Sequence, residues 1–363
     1  MKYIDEFRKL GPALSIVKSI EKKAGNQQMT FMEVCGTHTM AIARSGIRQM
    51  LPENINLISG PGCPVCVTPN STIDYSIELA RRDNVIITTF GDMMRVPGSY
   101  SSLAKERAKK SNIKIVTSTI DALEIARQNP HKKVVFIGVG FETTAPTIAA
   151  SILIAEKENI KNYFVLSAHK VMPPPMDVLS RGDIPLNGYI CPGHVSAIIG
   201  SKSYDFLPEK YGIACVVAGF EPLDILKSID MLADQVARSN PSVETEYKRV
   251  VTPEGNIHAK AVMNKVFEED DSEWRGIGVI PKSGLKIRSN YKMFDAEEKF
   301  SVDLPPVKEA EGCLCGEVLQ GKVIPTDCPL FGSVCNPSEP VGPCMVSTEG
   351  TCAAYYKYLR SER

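Results

Sequence analysis

Short apolar runs bounded by glycine and proline recur through the first two thirds of the chain. Runs at 30–34, 55–59, 85–90, 114–116, 133–139, 163–167, 189–191 and 213–218 are rich in β-branched and aromatic residues. Each predicts a buried strand. Helical spacing follows most of them, as at 39–50 and from Thr68-Pro69 to about Arg82, where Thr68 suits an N-cap and Pro69 the first helical position. Strands alternating with helices predict parallel sheets of the α/β kind. Residues 1–23 read as an amphipathic helix interrupted near Gly11-Pro12. The stretch 135–142 is echoed at 216–222, which hints at two related strand–loop–helix units.

Past Pro241 the pattern changes. Residues 268–273 are acidic and polar, and Pro305-Pro306 marks a further break. The expected layout is two similar parallel-sheet α/β domains, at 25–125 and 126–238. A third, irregular domain of helix and loop combines 1–24 with 239–363.

Composition narrows the function. The 363 residues carry 42 basic and 42 acidic side chains, a balance that argues against nucleic acid as the main partner. The N-terminus is charged, with no apolar core of signal-peptide length, and the longest apolar runs are too short for a bilayer. A cytoplasmic protein with no membrane partner is expected. In a reducing compartment, eleven cysteines point to metal binding or redox catalysis before structural disulfides.

Six of those cysteines, Cys313, Cys315, Cys328, Cys335, Cys344 and Cys352, fall in a tail crowded with Gly and Pro. Such a segment cannot build a core of its own, and thiolate–metal bonds would supply the missing folding energy. The uneven gaps and the lack of a tail CxxC favour an iron–sulfur cluster over zinc. Spacing does not say which two of the six are spare. Cys63-Pro64-Val65-Cys66 lies between a strand and a helix, a position that favours thiolate and suits a redox dithiol or half a metal site. Cys35 ends a strand, with His38 close behind, a pairing that suits a soft metal such as low-valent iron. Residues 138–146 imitate a phosphate loop but lack the third glycine, which leaves Glu142 as a site-lining carboxylate or a cap. His169-Lys170 and Cys191-Pro192-Gly193-His194 also follow strands. Loops at the C-terminal ends of parallel strands gather at one edge. Cys35, Cys63 and Cys66 are therefore expected to converge on a cleft bordered by His38 and His194, with Glu142 a weaker candidate.

Taken together, Cys35-Gly-Thr-His38-Thr-Met, Gly60-Pro-Gly-Cys63-Pro-Val-Cys66, Gly140-Phe-Glu-Thr-Thr-Ala-Pro146, Pro192-Gly-His-Val-Ser196 and the cysteine tail resemble the HypD family. This is the iron–sulfur protein of nickel–iron hydrogenase maturation, and the resemblance covers nearly the whole chain. Some members carry a second histidine where this chain has Met40, so only His38 is carried over from that motif. The family's C-x14-C-x6-C-x16-C motif falls on Cys313, Cys328, Cys335 and Cys352. The resemblance implies that these four hold a 4Fe–4S cluster and that Cys315 and Cys344 form a redox disulfide beside it. It further implies a scaffold for an Fe(CN)2CO unit, with Cys35 as a transient iron ligand. The implied partners are a HypC-type small chaperone and a HypE-type cyanide donor, the latter served by a HypF-type carbamoyl transferase. The rival reading is an iron–sulfur thiol-disulfide oxidoreductase acting on protein disulfides, which leaves Cys35 and His38 idle. A zinc-stabilised interaction protein would leave the CxxC idle.

Overall fold

The computed structural model describes residues 10–359. Among the described residues eleven strands are formed: β1 Met29–Glu33, β2 Ile55–Ser59, β3 Val85–Thr89, β4 Ile113–Ile115, β5 Lys133–Gly140, β6 Tyr163–His169, β7 Gly188–Pro192, β8 Ala214–Ala218, β9 Val243–Thr245, β10 Phe267–Trp274 and β11 Gly278–Ile287. They make two fully parallel sheets, ordered β2-β1-β7-β8-β9 and β4-β3-β5-β6, and an antiparallel hairpin, β10-β11. The α/β class expected from the alternation is the observed one.

Both sheets are covered on both faces, which is why their strands read as continuous apolar runs. In β5, Val134 and Phe136 face the helices Thr119–Gln128 and Ala145–Lys157. Val135 and Ile137 face the opposite layer, with Ile73 and Ile77 of the helix Asn70–Ala80. In the first sheet, Phe31, Ile190 and Val216 pack beneath the helices Leu10–Ala24 and Pro222–Ala237.

The strands sort differently from the expected boundaries. The chain lays down β1 and β2, leaves to build the whole four-stranded sheet from β3 to β6, and returns to complete the first sheet with β7, β8 and β9. A division at 125 would separate β3 and β4 from β5, their own sheet partner. The echo between 135–142 and 216–222 is therefore an echo between one strand of each sheet.

The tail is not a free-standing unit either. It lacks a sheet of its own, but Leu319, Phe331 and Met345 join Met32, Ile58, Val217 and Trp274 in one buried cluster on the remaining face of the first sheet. Borrowed apolar surface thus supports a segment that cannot make enough itself. Trp274 is wholly buried, its indole N–H donating to Ser283 Oγ at 2.8 Å. Truncating it would cost about 3–5 kcal/mol.

The hairpin was not anticipated. In β10 only Phe267 and Trp274, at its two ends, are buried. The acidic residues between them carry no strand-like alternation. The helix start near residue 69 is also corrected. Thr68 donates its hydroxyl to Pro64 O and closes the short helix Pro64–Val67, and Pro69 takes the capping position of Asn70–Ala80. The expected N-terminal helix is Leu10–Ala24 with Gly11-Pro12 in its first turn; residues 1–9 lie outside the described chain.

Candidate functional site

β1 and β2 are neighbours in parallel register, Glu33 beside Ser59, so their exit loops leave the sheet side by side. The loops touch through backbone. Gly36 N–H donates to Gly62 O at 3.0 Å and Gly60 N–H to Glu33 O at 2.7 Å. A Cβ on Gly62 would stand 2.2 Å from Cys35 N and 2.4 Å from Cys35 Cα, so only glycine permits this approach. Cys35 and the CxxC are thus brought together at the same sheet edge. Cys63 and Cys66 form a disulfide with Cα atoms 5.2 Å apart, buried at 3% and 0% exposure.

Cys35, Pro64, Val65 and His194 line a cleft of about 550 Å3. Its opposite wall is the C-terminal edge of the second sheet, with Phe90, Asp92 and Met93 after β3 and Phe141, Thr143 and Thr144 after β5. A tail segment, Ser347 to Glu349, closes the rim. Thr37 donates its hydroxyl to Glu349 Oε1 at 2.6 Å. The bare Cα of Gly36 makes room, since a Cβ there would meet Glu349 O at 2.4 Å.

Cys35 is half-buried and caps the helix Gly36–Arg44. Burial and the Glu349 carboxylate push its thiol up to about 12, against the pull of the His38 and Thr37 amides. Behind it lies Glu33, which accepts from Thr39 Oγ1 at 2.6 Å and from Cys35 N–H at 3.3 Å. Burial raises this carboxyl to about 7, against hydrogen bonds from Ser59 and Thr39 and the charge of Arg48.

The histidines separate. His194 faces the cleft, but His38 does not line it. The helix turns His38 inward, where its Nε2–H donates to Gly219 O at 2.9 Å and its ring is wholly buried. Phe220 stands between the two rings, 4.7 Å from His38 and 3.9 Å from His194. Desolvation lowers His38 to about 4, so it stays neutral. The expectation that His38 borders the opening is corrected to a packed histidine behind Phe220.

Glu142 also lies elsewhere. Its neighbours Phe141 and Thr143 line the cleft, but Glu142 lines a different cavity. His169 and Lys170 line a third recess beside the hairpin. Cys191 is buried within β7, in the core of the first sheet.

The six tail thiols form one neighbourhood. Cys315 lies close enough to Cys313 and Cys344 for their thiols to influence one another, and Cys344 in turn to Cys352. Cys328 Sγ approaches Gly312 O at 3.8 Å, and Cys335 Sγ accepts from Val341 N–H at 3.4 Å. Cys315 is the thiol pulled down, by Cys313 and Cys344 first and with help from the charge of Arg275. Cys315 and Cys344 are free, buried thiols that influence each other's protonation. The CxxC touches this group, because Cys66 Sγ lies 3.9 Å from Pro343 O, one residue from Cys344. Among the described residues no three groups stand already arranged around a metal. The donor set still fits a thiolate-bound cluster: six soft ligands gathered in a glycine- and proline-broken segment, with a buried arginine beside them.

Sequence reasoning missed Glu33, Glu349 and Phe220. A carboxylate ending an apolar strand was the available signal for Glu33. Glu349 and Phe220 owe their places to chain segments that meet only in three dimensions.

The HypD family model, described as the hydrogenase formation hypA family, matches residues 12–359. The hydrogenase maturation factor HypD2 of Bradyrhizobium diazoefficiens is 45% identical, covering 99% of this chain and 97% of its own. The hydrogenase maturation factor HypD of Cupriavidus necator is 44% identical over 99% of this chain and 98% of its own. That of Escherichia coli K12 is 42% identical over 100% and 99%. With the family model spanning residues 12–359 and these relatives 42–45% identical over nearly their full length, the chain belongs to the HypD family of hydrogenase maturation factors.

Proposed function

We propose that the chain is the scaffold on which a hydrogenase iron receives its cyanide and carbonyl ligands. Cys35 would hold that iron as cargo at the mouth of the cleft, with a HypC-type small chaperone completing the site. A HypE-type donor would present cyanide as a thiocyanate on its terminal cysteine. Releasing cyanide converts R–S–C≡N and two electrons into R–S⁻ and CN⁻. Cys63 and Cys66 supply both electrons when their dithiolate closes to the disulfide, so one dithiol is consumed per cyanide. A 4Fe–4S cluster on Cys313, Cys328, Cys335 and Cys352 would supply single electrons when bound. Cys315 and Cys344 would pass reducing equivalents to the CxxC, a reading supported by the approach of Cys66 Sγ to Pro343 O, one residue from Cys344.

The observation that carries this reading is the Gly62–Cys35 contact, which sets the proposed iron ligand against the dithiol loop. Action on protein disulfides is less well supported, because it leaves Cys35, set against the CxxC loop by Gly62, without a part in the chemistry. No helix among the described residues is long and apolar enough to cross a membrane. The proposed chemistry suits a reducing cytoplasm. The test is anaerobic co-purification with the small chaperone, followed by infrared spectroscopy. Bands of metal-bound cyanide and carbonyl are expected, and a spectrum without them would refute the scaffold.

A further inference from the structure

A cavity of about 820 Å3 lies between the helix Pro173–Ser180, the helix Ile257–Val266 and the hairpin. This volume suits a small molecule. Its walls include the apolar side chains of Pro173, Phe206, Met263 and Leu285. Glu142 lines it at 2% exposure. Glu142 Oε1 accepts from Met172 N–H at 2.9 Å, while Oε2 is buried with no hydrogen-bond partner among the described residues. A buried acceptor left unpaired is costly and calls for a donor.

The surrounding charges indicate what kind of donor. The exposed Glu269 lies near enough for its charge to reinforce the effect of burial, and together they lift Glu142 to about 7. The other acids at the rim are engaged, Asp177 with Arg181 and Lys210, and Glu268 with Arg288. Lys260 donates to Glu254 O, and Lys282 is exposed at the hairpin turn. Two carboxylates of the same cavity that repel each other, with the neighbouring acids already engaged, are relieved by a cation. We propose that this cavity binds a small organic cation, an ammonium or guanidinium group on a short apolar stem, with Glu142 Oε2 as its acceptor. The stem would lie against Phe206 and Met263. The site is separate from the Cys35 cleft and does not depend on the iron chemistry.

The test is calorimetric titration of the full chain with agmatine, a guanidinium on an alkyl stem, and with 1-butanol as the uncharged control. Agmatine is expected to bind and butanol not. Glu142→Gln, which keeps an oxygen for Met172 N–H, should weaken agmatine by about ten- to a hundredfold. Glu269→Gln, at an exposed position of the hairpin, should weaken it about two- to fivefold. No binding of agmatine, equal binding of butanol, or full affinity in a folded Glu142→Gln would overturn the proposal. Should Glu142→Gln fail to fold, unchanged affinity in Glu269→Gln would overturn it instead. A blocked arginine dipeptide distinguishes sources. Tighter binding than agmatine would assign the cation to a partner's side chain, weaker binding to a free amine, and both uphold the cation chemistry.

Discussion

Gly62 rests directly on the backbone of Cys35, closer than any side chain would allow. Replacing it with alanine must push the loop after β2 off the loop after β1. The expected cost is about 1–3 kcal/mol in stability, the usual range for overpacking. Hydrogenase maturation should fall far more than that loss explains, because the dithiol loop would no longer abut the iron ligand. Thermal melts and maturation assays on Gly62→Ala check this. Normal maturation in a folded variant would mean the contact has no role in the chemistry.

Cys35 and the tail are held by different elements, so they should fail independently. Cys35→Ala should keep its fold and its iron–sulfur absorbance yet lose the cyanide and carbonyl bands. Cys328→Ala should lose the cluster and loosen the tail, because metal binding there doubles as folding energy. Iron and sulfide analysis of both variants, with infrared spectra, separates the two roles.

The assignment of Cys315 and Cys344 as a redox pair can be tested without disturbing the four proposed ligands. The double alanine variant should retain about four iron and four sulfide per chain but stall after oxidation of the CxxC. Loss of the cluster spectrum would show that the ligand set was drawn from the wrong four cysteines.

Glu106 offers a test of the second sheet's supporting layer. Hydrogen bonds from Arg81 hold its carboxyl down at about 2, against an ordinary 4.5, with Ser101 and Lys109 adding to the effect. A depressed folded-state value stabilises above the unfolded value. That contribution is complete above about pH 4.5 and fades as the pH falls towards 2. Glu106→Gln should cost about 1–3 kcal/mol at neutral pH. Denaturant titrations should show the gap from the unsubstituted protein closing on acidification. A gap that stayed constant down to the acid limit would contradict the ion pair's part in stability.

Much of this molecule could be read from residue order alone. Each expected strand is present within two residues of its bounds, because strands buried on both faces leave an unbroken apolar run. The meeting of Cys35 with the CxxC was also legible, since parallel neighbours carry their loops to one edge. His38 was not. Its three-residue distance from Cys35 suggests a shared opening, but helical rotation takes it to the far side of Phe220. Phe220 arrives from a strand paired with β7, and no local pattern reports that. Glu142 misled for a related reason. Adjacent residues of a turn face opposite ways, so Phe141 reaches the cleft and Glu142 the other cavity. The sheet boundaries were hidden because a chain that leaves a sheet and later returns has the same alternation as one that never left.

That detour orders events while the protein is being made. β1 and β2 emerge early, but β1 gains its second neighbour only when β7, starting at Gly188, has been synthesised. The four-stranded sheet is complete by then, so it can fold first while the early pair waits half-covered. Such long-range pairing slows folding. Cys63 and Cys66 spend that interval without Pro343 above them, because the covering segment is translated later than β7. Until Pro343 has been translated, the dithiol therefore lacks the backbone that lies over Cys66 in the folded chain.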